Sequence, residues 1–222
     1  TPTVTVTPTP TPPPSRFMDN GDGTVTDNQT GLQWEKKTGT VGSSVNCAQT
    51  ACPDPHEVNN RYTWCLNANF DLSCDNPGNP PDGGAFTDFL VKLNANGGFA
   101  GHTDWWLPSE QGQNSPFTGA KELETIRIAP GVCGTSPCID SIFGPTAAQI
   151  YWSDTTITGA PYFAWGVSFG AGTTPLVLKS GGNYVRAVRA VATVTATPTV
   201  TATPTVTATP TATPTPTETP TP

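Results

Sequence analysis

The chain has 222 residues, a net charge of −7, 22 glycines, 25 prolines, six cysteines and six tryptophans. Acidity on this scale supplies no long-range attraction to phosphate, so nucleic acid is excluded as a partner. No apolar run approaches the ~20 residues that a membrane-spanning helix needs, and Gly-rich, Trp-rich, charge-poor composition argues against a helical bundle.

Residues 1–14 contain only Thr, Pro and Val. Residues 15–192 form the block expected to fold. Residues 193–222 form a second arm, with threonine at every odd position from Thr193 to Thr221. Proline fixes φ and removes a backbone donor, so such arms run extended instead of building a core. Fully extended, the C-terminal arm reaches roughly 90 Å at ~3.1 Å per residue. Threonine beside proline also reads as an O-glycosylated stalk, with a plain spacer as the alternative. The start at Thr1, without Met or a leader pattern, reads as a mature fragment or an excerpt of a larger surface protein.

Within the block, residues 16–37 read as three short strands joined by turns at Asn20-Gly21-Asp22-Gly23 and Asn28-Gln29-Thr30-Gly31. The Asp-rich string DNGDGTVTD does not keep the register of a calcium loop and is read as a hairpin. Residues 38–82 read as loop. Asp82 is placed to cap a helix in which Phe86, Phe89, Leu90 and Leu93 form one apolar stripe, ended by Asn94 to Gly98. Gly101 to Ser109 reads as a buried strand closed by Pro108. Ala120, Leu123, Glu124 and Ile126 suggest a second, shorter helix. Strands follow at Tyr151–Ser153, Ala164–Phe169, Thr173–Lys179 and Asn183–Ala190, separated by Gly/Pro/Asn turns. Two helices among many antiparallel strands define an α+β class.

Cys47/Cys52, Cys65/Cys74 and Cys133/Cys138 fall in three local groups within Pro-, Asp- and Gly-rich loops. Local pairing as disulfides is the favoured reading, and a metal site is its rival. Zinc prefers closer Cys/His spacings, and neither His56 nor His102 sits in one. No metal or cofactor is assigned.

No catalytic residue is assigned either. His102 has no nucleophile elbow beside it and reads as structural. Glu122 and Glu124 stand at i, i+2 on the second helix and point apart. The Glu-Pro-Asn, Gln-Pro-Asp and Trp-Asn-Asp strings of calcium-dependent lectins are absent.

Six segments then become recognisable in order: FMDNGDGTVTDNQTGLQWEKK, AFTDFLVKLN, FAGHTDWWLP, FGPTAAQIYWSDTT, AWGVSFG and NYVRAVR. Together they resemble the Lcl C-terminal domain family, the C-terminal domain of a collagen-like bacterial adhesin, over about Arg16 to Arg189. The resemblance implies a fold similar to C-type lectins and the formylglycine-generating enzyme, with long disulfide-stapled loops. It implies an exported or surface protein and a role in adhesion to glycans or host surfaces. The formylglycine-generating relatives use reactive cysteines, whereas the paired loops here point to staples. Trp106 stands where the family motif WRLP has arginine, and QGQNSPFTGA separates LPS from KELETI. Sulfated glycans need a basic face, and the block carries −6 because Glu218 is the only charge in the arms.

Trp34, Trp105, Trp152 and Trp165 alternate with small or polar residues and are assigned to the core. Tyr162 and Tyr184 are the expected surface aromatics and, with Lys179, Arg186 and Arg189, the candidate ligand-binding residues. Arg186 and Arg189 lie on opposite faces of one strand, so at most one is expected to be buried, paired with Asp104 or Asp154. The functional expectation is a non-enzymatic extracellular or cell-surface binding module for polysaccharide or other surface proteins, with homo-oligomers allowed. The alternative is a structural subunit of a surface layer, sheath or filament with glycosylated arms.

Overall fold

The computed structural model describes residues 15–47, 52–66, 74, 80–110 and 121–191. Both Thr-Pro arms, Ala120 and the QGQNSPFTGA stretch lie outside the described residues.

The N-terminal hairpins form as their turn residues dictate. β1 (Phe17–Asp19), β2 (Thr24–Asp27) and β3 (Leu32–Glu35) pair antiparallel, and β10 (Val188–Ala190) joins the far side of β3. The register sets Val25 opposite Trp34 and Trp34 opposite Val188, so one face of this sheet is a continuous apolar row. In the first turn, Gly21 and Gly23 adopt φ of 77° and 89°, a region open to glycine. The Asp19 carboxylate accepts from Gly21 N, and Asp22 accepts from Thr24 N and its hydroxyl. Asp19 also pairs with Lys36, and Asp27 with Arg16, so each aspartate of this hairpin has partners within the domain.

The described residues between 38 and 82 include strands that their composition does not suggest. β4 (Val45–Asn46) runs parallel to β5 (Asn60–Thr63), and β5 pairs on its other side with β9 (Gly182–Asn183). Tyr62 and Trp64 are fully buried. Loop composition hid a strand whose side chains alternate inward from Asn60 through Tyr62 to Trp64.

The first helix begins as a π-turn, Ala85–Phe89, and continues as α1 (Leu90–Asn94). Ala85, Phe89 and Leu93 are buried, while Phe86 and Leu90 pack at the edge of the same cluster. Asp82 does not cap it. No side chain caps the helix start at Gly84, and the Asp82 carboxylate instead accepts from Leu66 N at 2.9 Å. Asn94 closes the helix: its amide donates to Leu90 O and Trp105 O and accepts from Trp105 N. The second helix is the single turn α2 (Glu122–Thr125), with Leu123 buried.

The expected strand at Gly101 to Ser109 is an extended segment with one bridge to the sheet, Trp106 to Val188. Its inward residues Trp105 and Leu107 are nevertheless buried. β6 (Ile150–Ile157), β7 (Ala160–Ser168) and β8 (Leu176–Leu178) form a separate antiparallel sheet in that order. Strands paired mainly antiparallel with two short helices make the domain α+β.

Two apolar clusters fill it. One gathers Val25, Trp34, Leu123, Phe143, Tyr151, Phe169 and Val188. The other gathers Tyr62, Trp64, Phe89, Leu93, Trp105, Leu107 and Trp152. The chain from Tyr184 to Arg189 runs between them: Tyr184 and Val188 join the first, Val185 and Ala187 the second. Trp34, Trp105 and Trp152 are core residues, while Trp165 is half-buried.

Candidate functional site

The buried run at 184–189 decides the fate of the arginines. Every residue from Tyr184 to Arg189 is buried, and regular pairing is interrupted between β9 and β10. Alternation in one strand therefore does not send either arginine to solvent, because both faces meet a core. The expectation that at most one of Arg186 and Arg189 is buried is corrected: both are. Arg186 donates to the carbonyls of Glu35 and Phe143 and to the Thr146 hydroxyl at 2.9 Å. Arg189 makes the expected pair with Asp104, donating through Nε at 2.7 Å and Nη2 at 3.2 Å, and also donates to Gln33.

Tyr184, expected at the surface, is buried with its ring stacked on Tyr151 at 5.5 Å. Lys179 is buried too. Its ammonium lies over the Trp64 ring and donates to the Thr156 hydroxyl. Of the five candidate ligand residues, only Tyr162 is exposed, at 38%. It is the third residue of β7, with its ring 5.1 Å from that of Phe163.

A further ionic group lies inside the domain where the sequence raised no signal beyond ordinary strand residues. Glu35 is fully buried. Its Oε1 accepts from Lys37 Nζ at 2.8 Å and lies 2.9 Å from His56 Nδ1, and its Oε2 accepts from Ala187 N at 2.9 Å. Burial pushes the Glu35 carboxyl upward, but the Lys37 charge and the His56 contact outweigh it and hold the group below the usual carboxylate range. Burial likewise pushes the Lys37 ammonium down against the pull of Glu35. This carboxylate joins β3, the 54–57 turn and the 186–187 segment.

The carboxylates considered for chemistry are also engaged. Glu122 Oε2 accepts from Trp106 Nε1 at 3.1 Å and from Ser109 N at 2.9 Å, while Glu124 pairs with Arg127. His102 sits half-buried in a bridge with Phe99. The cysteines are bonded as Cys47–Cys52, Cys65–Cys74 and Cys133–Cys138. Cys65, Cys74 and Asp82 bring three potential metal ligands within 4.8 Å, but the two sulfurs are bonded to each other and offer no thiolate.

The description that matches this chain is the Lcl C-terminal domain, over residues 23–189. The chain belongs to the Lcl C-terminal domain family. No curated protein and no solved structure matches it. Within this Lcl C-terminal domain, the Trp106 indole N–H donates to the Glu122 carboxylate. Membership and three disulfides fit a surface-associated domain of an oxidising compartment. Among the described residues, no helix is long and apolar enough to cross a membrane.

Proposed function

We propose that this Lcl C-terminal domain is a non-enzymatic adhesion module with a C-type-lectin-like α+β fold, held outside the cell on Thr-Pro arms. It recognises a glycan or another surface component. The observation that carries this reading is the internal use of charge. Lys37, Lys179, Arg186 and Arg189 are all buried and bonded within the domain, and the more exposed Arg16, Lys36, Lys92 and Lys121 each pair with a carboxylate. A sulfated ligand needs accessible cations, so the module fits uncharged ligands better than polyanions. Tyr162, near the start of β7 and the exposed aromatic among the described residues, offers a ring face for sugar C–H groups.

The test is a glycan array carrying neutral and sulfated members, probed with the full chain and with Tyr162→Ala. We expect binding among neutral glycans and a fall of roughly tenfold in the variant, the scale of one stacking contact. Binding confined to sulfated members contradicts the reading, and unchanged binding by the variant removes Tyr162 from the site.

The unbroken threonine alternation from Thr193 to Thr221 favours a second reading, a structural subunit whose arms carry glycans. Intact mass before and after deglycosylation separates a decorated arm from a bare spacer.

A further inference from the structure

We infer that the outer edge of β8 is a self-association surface, onto which a second copy of this chain adds its own β8 antiparallel, joining two three-stranded sheets into one of six.

The backbone of β8 sets the edge. Gly166 N donates to Pro175 O, and Lys179 N donates to Tyr162 O. Val177 pairs with Ala164 between them. In an antiparallel ladder, alternate residues face the partner strand. Residues 175, 177 and 179 therefore turn their polar groups to β7, and Leu176 and Leu178 turn theirs away. Among the described residues β8 has one neighbour, β7. Leu178 O also accepts from Gly181 N, and a carbonyl retains a second lone pair. Pro175 does not blunt the edge, because its missing donor is on the β7 side.

The side chains agree with the backbone. Leu176 is 56% exposed and Leu178 41%. Their paired neighbours on β7 are Trp165 and Phe163, both half-buried and on the same face. Val177 points the other way, into the core, packed against the cluster of Trp64 and Trp152. Among the described residues, the result is an apolar face continuous with an open strand edge, the arrangement that pairs with another strand.

Charge and symmetry select the occupant. Residues 155–178 contain no charged side chain or histidine, in a chain of net charge −7. A second acidic copy thus meets this face with little local repulsion. A two-fold axis at Val177 sets Leu176 opposite Leu178 of the second copy, and each offers its outward N–H and C=O to the other. The leucines then meet leucines across the axis. A sugar gains few directional bonds from leucine side chains, which is why a second copy fits better here.

A three-residue strand buries little, so the pairing belongs to the weak, transient class, with Kd on the order of 100 μM. Surface display raises the effective concentration and makes such pairing consequential for avidity.

The test is sedimentation equilibrium of the full chain up to about 1 mM, ten times the expected Kd. Wild type should show reversible dimers. Leu176→Lys with Leu178→Lys should weaken them at least tenfold, since lysine blunts strand edges. Leu176→Thr with Leu178→Thr keeps strand propensity and should do the same. Near-UV circular dichroism checks that the fold persists. Mixing a Leu176→Cys chain with a Leu178→Cys chain should yield an oxidised dimer bridged in that register. Monomers throughout the range, or dimers indifferent to both leucine pairs, overturn the proposal. So does a monomer that binds neutral glycan through these leucines. Tyr162→Ala should leave dimers intact, so this proposal and the ligand reading fail separately.

Discussion

The ammonium of Lys179 lies 3.8 Å from the centroid of the Trp64 ring. The same residue's carbonyl accepts from Trp64 N at 3.0 Å and Cys65 N at 3.1 Å. A residue that a surface reading assigns to ligand contact instead ties β8 to the end of β5. A desolvated cation–π contact is worth about 2 kcal/mol. Lys179→Ala should therefore destabilise the domain by about 1–3 kcal/mol, read by urea unfolding. Glycan binding of the folded fraction should not change.

Glu35 is the counter-charge for a buried cationic neighbourhood of Lys37 and Arg186. Removing one partner of a buried pair leaves the other charge uncompensated. Glu35→Gln should cost about 3–5 kcal/mol in denaturant unfolding. The folded carboxyl titrates below its unfolded value, so the folded state binds fewer protons. Its contribution is present above the unfolded pKa, about 4.3, and is lost as pH falls through the folded one. An acid limb as steep in Glu35→Gln as in wild type would remove this assignment.

Asp104 is more than half exposed, yet the Arg189 hydrogen bonds hold its carboxyl below the usual range. Its contribution likewise exists above about pH 3.9 and fades as pH falls through the folded value. Wild type and Asp104→Asn should differ in melting temperature near neutrality and converge in acid. Raised salt should narrow the gap, because an exposed pair is screened.

Gly98 has φ of 75°, and a Cβ there would lie 1.8 Å from His102 O. The turn carries Phe99, whose carbonyl accepts from Trp105 Nε1. Gly98→Ala combines a left-handed backbone with a backbone clash and should destabilise by about 2 kcal/mol or more. Gly97 has a similar φ of 89° but open space around it. Gly97→Ala should cost only about 1 kcal/mol, the penalty for the backbone alone. Thermal melts of the two variants, compared side by side, decide the point.

Local patterns were legible where neighbours in sequence are also neighbours in space. The three N-terminal strands follow from turns at Asn20–Gly23 and Asn28–Gly31. The first helix's inward face follows from its apolar stripe. β5 was missed because its polar composition masked the inward alternation of Tyr62 and Trp64. The Asp82 cap was misread because a carboxylate near a helix start also has other donors within reach, here Leu66 N. The ligand candidates suffered most. Tyr, Lys and Arg late in the chain look like surface chemistry until both sides of 184–189 prove to be covered.

By itself the sequence determined the α+β class, the family and the short strands of the N-terminal hairpins, because turn chemistry, side-chain periodicity and ordered motifs are local. It also determined the contrast between the threonine-alternating arms and the cysteine-bearing block. Only the tertiary structure decided which polar residues face inward. Burial depends on what packs against a strand's second face, and that neighbour comes from distant sequence: Trp64 for Lys179, Phe143 for Arg186, Asp104 for Arg189.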